Sequence, residues 1–246
     1  MLSSDRFAAA FTEAESPPRT LIERAYRQLR KDIIDGILQP DEKLRVEHLK
    51  DRYDVGAGTL REALVLLLSD ALVVAEGQRG FRVAPISMTD FAEITEARIL
   101  LEVRALQHSL KSGGDEWEAN LVAAYHRLTK AEEKLGSRRD VHFHEWEARN
   151  RSFHEALIAG CKSGWLRYLI GIVYRQAERY RQIALTKAST SRNVHAEHAE
   201  LFAAATQRDV KLASKLLTHH IQLTFDLVRA IAPRSGNRPL SKRTRG

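Results

Sequence analysis

Cysteine is almost absent from this chain. Cys161 is the only one, which excludes an internal disulfide and suits a reducing cytoplasm; a buried, inert thiol is the simple reading of it. Long apolar runs are also missing. The longest, Ala63–Leu68, falls far short of the roughly 20 residues a membrane helix needs, so no membrane partner is expected. The N-terminal stretch MLSSDRFAAAFTEAESPP carries acids and no apolar core, unlike a secretory signal. Concentrated basic charge is lacking where it would be most telling. The net charge is +7, yet residues 19–87 hold 12 Lys and Arg against 11 Asp and Glu, whereas 233–246 hold five and no acid. The overall charge therefore does not itself argue for nucleic acid, and the placement of particular cations must. What remains is a chain of 246 residues, 43% hydrophobic and 29% charged, suited to one large or two modest globular domains.

Residues 1–18 are polar, end in Pro17-Pro18, and read as a disordered arm. Thr20–Leu38 has apolar residues at 21, 22, 25, 29, 33, 34 and 37, a helical stripe, which Gln39-Pro40-Asp41 should stop. Two short helices, Arg45–Asp54 and Thr59–Asp70, and two short strands, near Val73–Glu76 and Phe81–Ala84, follow. Ser87 with Asp90 resembles a capping box and marks a domain boundary, giving an N-terminal domain of 19–87. From Met88 to Ala232 the pattern is helical throughout, with helices near 88–112, 116–136, 140–159, 164–186, 191–206 and 209–232. Six such helices should form a bundle with sites in its core. The tail 233–246 reads as disordered. The fold class expected is mostly α, a winged helix-turn-helix followed by an all-helical bundle.

Helix, turn, helix and β-wing is an order that places one helix in the DNA major groove. On the second helix Leu60, Ala63, Leu64 and Leu67 should pack inward, leaving Thr59 and Arg61 near its N-terminal end, where base contacts are made. Arg61 can offer a bidentate fork to guanine; its competing role is an ordinary surface ion pair. Arg45, Lys50 and Arg52 on the preceding helix, and Arg79 and Arg82 on the wing, suit phosphates. Gly80 fits a wing tip that approaches a groove, since it adds no Cβ.

The segments Pro40-Asp41-Glu42-Lys43-Leu44, Leu60-Arg61-Glu62-Ala63-Leu64 and Arg79-Gly80-Phe81-Arg82-Val83 resemble the GntR family of winged-helix regulators. The helical half resembles the FCD effector domain of the FadR-like branch. Within it, PDEKLR, LREAL, GGDEWEA and SFH…AGC are similar to the carbon-starvation-induced regulators. The family usually writes Ser-Arg-Thr before the reading helix, where this chain has Gly56-Ala57-Gly58; Arg61, Thr59 and the wing must then carry more of the reading. Such a resemblance implies a homodimer on a pseudo-palindromic double-stranded operator.

The helical half turns three histidines toward one core. His154 lies one turn after Asn150 on the face that also holds Phe143, Trp146, Phe153 and Leu157. His198 lies beside Leu201, Phe202 and Ala205, and His220 in line with Leu216, Leu223 and Leu227. Each is either a satisfied core histidine or part of a joint site. Resemblance to the FCD domain implies that Asn150, His154, His198 and His220 hold a divalent metal. That donor set suits zinc or nickel over magnesium. Arg98 lies along the apolar stripe of the first bundle helix and needs a carboxylate; Glu102, one turn on, is one candidate. The resemblance implies another: Arg98, with Asn150 nearby, binds the carboxylate of a small organic acid, of a short glutarate type.

The sequence thus points to a ligand-responsive DNA-binding regulator, a repressor released by its effector. Two alternatives stay open: a metal-dependent hydrolase with an accessory winged helix, and a constitutive DNA-binding protein with no effector. Against the hydrolase, no paired carboxylate for general-base work stands near the histidines in the sequence.

Overall fold

The computed structural model describes residues 17–77, 80–135, 139–187 and 192–231, the side chains of 139, 140 and 183–187 excepted. These form two compact units. One comprises 17–94, 172–187 and 227–231, the other 95–171 and 192–226. The expected arm, apart from Pro17 and Pro18, and the expected tail lie outside the described residues.

The first unit opens with α1 (Leu21–Ile34), whose Thr20 side chain accepts the Glu23 amide at 3.1 Å and so caps the helix. The helix ends four residues before the expected Leu38. Gly36, at φ 72°, lets the chain turn back, and the Asp32 carbonyl accepts the amides of Ile37 and Leu38 at 2.8 and 2.9 Å. The glycine therefore terminates the helix before Pro40 is reached. Ile37, counted in the apolar stripe, is consequently left exposed, and Leu21 at the first position of the helix is exposed as well. Strand β1 (Lys43–Leu44), helix α2 (Val46–Tyr53), helix α3 (Ala57–Ser69), and strands β2 (Val73–Ala75) and β3 (Phe81–Val83) follow. The three strands make one antiparallel sheet in the order β1-β3-β2. Lys43 pairs with Arg82 on one side of β3, and Val74 pairs with Arg82 on the other. Strand β1 was not expected, because two residues are too few to show alternation.

Leu60, Ala63, Leu64 and Leu67 are fully buried, in a core with Ala25, Leu29, Ile33, Leu44, Leu49 and Val83. This fixes the rotation of α3 about its axis and leaves Arg61 and Glu62 on the opposite, exposed face.

Six helices follow: α4 (Met88–Ser112), α5 (Asp115–Leu135), α6 (Arg139–Ile158), α7 (Gly164–Lys187), α8 (Val194–Thr206) and α9 (Val210–Ile231). The Ser87 hydroxyl accepts the Asp90 amide at 3.0 Å, half of a capping box. The Asp90 carboxylate accepts instead the hydroxyl of Tyr180 on α7, and that oxygen in turn receives the Ser87 amide at 3.1 Å. Phe91 stacks on the same ring, centroids 4.3 Å apart. Burial first, and then the Asp90 carboxylate, push the Tyr180 phenol well above its ordinary range. Residues 172–187 of α7 are thus bound into the first unit by polar contacts. Arg175 donates to the Asp70 carboxylate at 2.7 Å, Gln176 donates to the Asp70 carbonyl at 2.8 Å, and Arg179 donates to the Ala84 carbonyl. In the second unit Leu106, Leu121, Leu128, Phe153 and Leu201 are completely buried, Tyr125 stacks on Phe202 at 4.2 Å, and the Trp117 indole donates to the Ala156 carbonyl at 2.9 Å. No described helix is long and apolar enough to cross a membrane.

Candidate functional site

The exposed face of α3 and the wing carry the residues expected to meet DNA. Helix α3 starts at Ala57, two residues before the expected Thr59, because Gly56 in extended conformation takes the cap position. Gly56 has no side-chain oxygen to offer, so the first amides of α3 have no side-chain cap. Arg61 is exposed and makes no hydrogen bond or ion pair among the described residues; its charge helps to lower the Glu47 carboxyl, behind that of Lys50. The surface ion pair that competed with a base-reading role is therefore not formed. Thr59 stands half-buried beside it, and Arg45 is exposed at the start of α2.

The other expected phosphate contacts begin from ion pairs. Lys50 meets Glu47 at 2.7 Å, Arg52 meets Asp32 at 3.1 Å, and Arg82 meets Glu76 at 2.6 Å while donating to the Asp41 carbonyl. Pairing with Glu47 raises the Lys50 ammonium above its ordinary value. Arg79 lies outside the described residues. Gly80 takes φ 96°, which L side chains rarely adopt, and a Cβ there would meet nothing within 4 Å. In the free protein the glycine answers a conformational demand rather than a crowded one.

In the second unit α6, α8 and α9 bring His154, His198 and His220 together, all buried. Each offers a nitrogen within 4.8 Å of the others. The ring centroids are 5.9 Å apart for His154 and His198, 5.1 Å for His154 and His220, and 4.9 Å for His198 and His220. Asn150 is buried one turn before His154. His219, next to a ligand candidate in sequence, is exposed.

The electrostatics around the cluster come from residues the sequence reading had passed over. Glu132 of α5 lies 2.7 Å from His198 Nδ1 and 2.6 Å from Nδ1 of the exposed His195. Burial alone would push the Glu132 carboxyl up, but its contacts with the imidazoles, His198 first, outweigh this and hold it below the usual carboxylate range. Glu197 lies 2.8 Å from His220 Nδ1 and is gripped by Arg192 at 2.7 and 2.6 Å. A signal for Glu132 existed: Leu121, Tyr125, Leu128 and Glu132 recur at helical spacing, so an acid in that series faces inward. It was hidden within the charged run Lys130–Lys134. His198 Nε2 is buried and has no hydrogen-bond partner among the described residues. A buried nitrogen lone pair left unpaired is costly. Three imidazole nitrogens, one of them orphaned, fit a borderline transition ion such as zinc or nickel better than a hard cation.

Arg98 and Glu102 are both buried and joined to each other, Nε to Oε1 at 2.7 Å. The far oxygen of Glu102 stands 3.9 Å from His154 Nδ1. The simplest partner that the sequence allowed for Arg98 is thus present, and it links the arginine to the histidine cluster.

Comparison with known proteins agrees with this architecture. Residues 21–83 match the model of the gntR family of bacterial regulatory proteins, and residues 93–223 match that of the FCD domain. The chain is 43% identical over 225 residues to the HTH-type transcriptional regulator BphR of Paraburkholderia xenovorans, covering 89% of this chain and 91% of that one. It is 38% identical over 207 residues to the HTH-type transcriptional repressor GlaR of Escherichia coli, covering 82% and 93%. Among solved structures, a GntR transcriptional regulator from Rhodococcus sp. RHA1 superposes with a TM-score of 0.69 at 21% identity, over 85% of this chain and 98% of that one; it supports the fold alone. With its helix-turn-helix, its wing and its helical domain all matched, the chain belongs to the GntR family of bacterial regulatory proteins and is a DNA-binding transcriptional regulator with an FCD domain, not an enzyme.

Proposed function

We propose that this regulator is a metal-bearing cytoplasmic repressor that a small organic acid releases from DNA. The observation that carries the proposal is the buried trio His154, His198 and His220 with the orphaned His198 Nε2. In this reading segment 19–87 binds DNA and segment 88–232 senses the effector. Arg61 and Thr59 read bases; Arg45, Lys50, Arg52, Arg79 and Arg82 hold phosphates; Gly80 lets the wing approach the groove. A homodimer would place two such helices on a pseudo-palindromic operator. The repressive sign draws support from GlaR, a relative named a repressor.

In the helical domain the three histidines, with Asn150, would hold a divalent ion of the zinc or nickel class. Such an ion supplies a Lewis-acid anchor for one carboxylate oxygen. The Arg98 fork would take the acid's carboxylate and fix its orientation. Since Glu102 occupies that fork in the free protein, an incoming acid must displace it. Affinity then measures the difference between two carboxylates, and a second carboxylate on the ligand helps by reaching another partner. The likeness to carbon-starvation-induced regulators favours a short dicarboxylate of glutarate type. Release requires the acid to bind the DNA-free arrangement better than the DNA-bound one.

The test is metal analysis of the purified protein, followed by operator titration with a panel of mono- and dicarboxylates. Arg98→Ala should bind operator as the wild type does, yet not be released. Arg98→Lys should also largely fail, since one ammonium cannot reproduce the fork. Equal release of wild type and Arg98→Ala by the same acid would sink the site. If no acid acts on the wild type, the constitutive reading gains, and the Arg98–Glu102 pair, complete without a ligand, is the observation that favours it.

A further inference from the structure

Two of the three histidines stand at hydrogen-bond distance from a buried or half-buried carboxylate. His198 and His220 each face a carboxylate with Nδ1, at 2.7 Å from Glu132 and 2.8 Å from Glu197. Glu102 stands 3.9 Å from His154 Nδ1 and is bound to Arg98. We infer that Glu132 and Glu197 are positioning residues, which fix the protonated nitrogen of His198 and His220 as Nδ1 and so turn both Nε2 lone pairs to the cluster. This rests on the metal reading above and assigns the outer shell of that site.

The assignment follows from what each oxygen and nitrogen can donate. A carboxylate can only accept, so a nitrogen at 2.7 Å from one must carry the proton. The neutral ring then has its lone pair on Nε2. For His198 that atom is the buried one with no hydrogen-bond partner among the described residues, so its lone pair is available to a ligated ion. For His220 there is a competing neighbour, Arg192 Nη2 at 3.4 Å. That contact is the longer one, and Arg192 Nη2 already donates to Glu197 at 2.6 Å and to the His220 carbonyl at 3.1 Å. Arg192 also donates to Thr224 at 3.0 Å. Arg192 therefore anchors Glu197 against α9, and Glu197 orients His220. Glu132 is anchored from outside by His195, whose side chain is 52% exposed. Carboxylates behind metal-bound histidines raise ligand basicity and restrict ring rotation, and losing one typically weakens metal binding roughly 10- to 100-fold.

The experiment measures zinc affinity by competition with a chromophoric chelator, and histidine 15N signals of the metal-free full-length protein by long-range NMR. The wild type should show Nδ1–H at His198 and His220. Glu132→Gln and Glu197→Gln keep side-chain shape; each should bind zinc roughly 10- to 100-fold more weakly and raise the Nε2–H population of its own histidine alone. Glu133→Gln, which removes an exposed acid paired with Lys130, should change neither. Nε2–H at His198 in the wild type overturns the inference without need of any variant. Zinc affinity within twofold of wild type in both Gln variants overturns the positioning role while leaving the metal reading intact. A wild type that takes up no zinc overturns both.

Discussion

Asp70 ties α3 to α1 and α7 within the first unit. It caps α3 at its C-terminal end, and its carboxylate receives the Tyr26 hydroxyl and the Arg175 guanidinium, the latter at 2.7 Å. The two side chains of the ion pair are 10% and 6% exposed, so water cannot easily replace a missing partner. Asp70→Ala leaves a guanidinium buried without its carboxylate, which costs about 3–5 kcal/mol, and leaves the Tyr26 hydroxyl without its acceptor, about 1–3 kcal/mol more. Relaxation of neighbouring side chains into the truncated space offsets part of this, so a net loss of about 4 kcal/mol is expected. Replacing both ends, as Asp70→Leu with Arg175→Met, should recover most of it, because an apolar pair carries no desolvation cost. Gln176→Ala removes the bond to the Asp70 carbonyl and also the acceptor of the buried Arg179 guanidinium at 3.1 Å, and should cost about 2–4 kcal/mol. Tryptophan fluorescence is the wrong probe, since Trp117, Trp146 and Trp165 all belong to the other unit. Native-state hydrogen exchange at the amides of Leu64 and Leu67, buried in α3, reports the opening of the unit concerned. A change below about 1 kcal/mol for Asp70→Ala, or a double variant no better than the single, would refute the argument.

Two further outcomes concern DNA and pH. Arg61→Ala should lose roughly 1–3 kcal/mol of operator affinity and relax base choice at one position, whereas Lys50→Ala should weaken all sequences alike and lower the salt slope by roughly one unit; wild-type operator binding by Arg61→Ala would show the reading helix to be misplaced. Burial above all, with the Asp70 carboxylate adding to it, pushes the Tyr26 phenol up to about 12. A raised folded value means that the contribution is intact below pH 10 and is lost as pH rises through 12, by roughly 2–3 kcal/mol. Tyr26→Phe should be less stable at neutral pH, having lost its bond to Asp70, yet show that much less alkaline loss when urea midpoints are compared between pH 9 and 12.

Where burial follows apolar periodicity, the sequence reading and the structure agree closely. Leu60, Ala63, Leu64 and Leu67 set the rotation of α3, and with it the exposure of Arg61. The same logic brought three histidines to one place, because each shares a helix face with aromatic or aliphatic residues whose inward direction was plain. Differences arise where a single backbone feature outweighs the stripe. Gly36 ends α1 early, Gly56 starts α3 early, and β1 is too short to have a pattern.

The harder losses have one cause, which is that burial of a charged residue depends on its partner and not on its neighbours in sequence. Arg175 and Arg179 are 5% and 3% exposed, although hydropathy alone would put both in water. Their acceptors, the Asp70 carboxylate and the Ala84 carbonyl, are 105 and 95 residues away in the chain. Glu132 is the same case: its imidazole at 2.7 Å comes from a helix 66 residues on. Local composition makes such acids and arginines look like solvated surface, and only the topology reveals that a long-range partner has made burial affordable. The same condition governs function. Arg98 has a carboxylate one turn away that satisfies it in the free protein, so burial alone does not make it a ligand-binding residue. What the histidine cluster adds is a buried acceptor, His198 Nε2, without a hydrogen-bond partner among the described residues, set beside two more imidazole nitrogens that one ion could share.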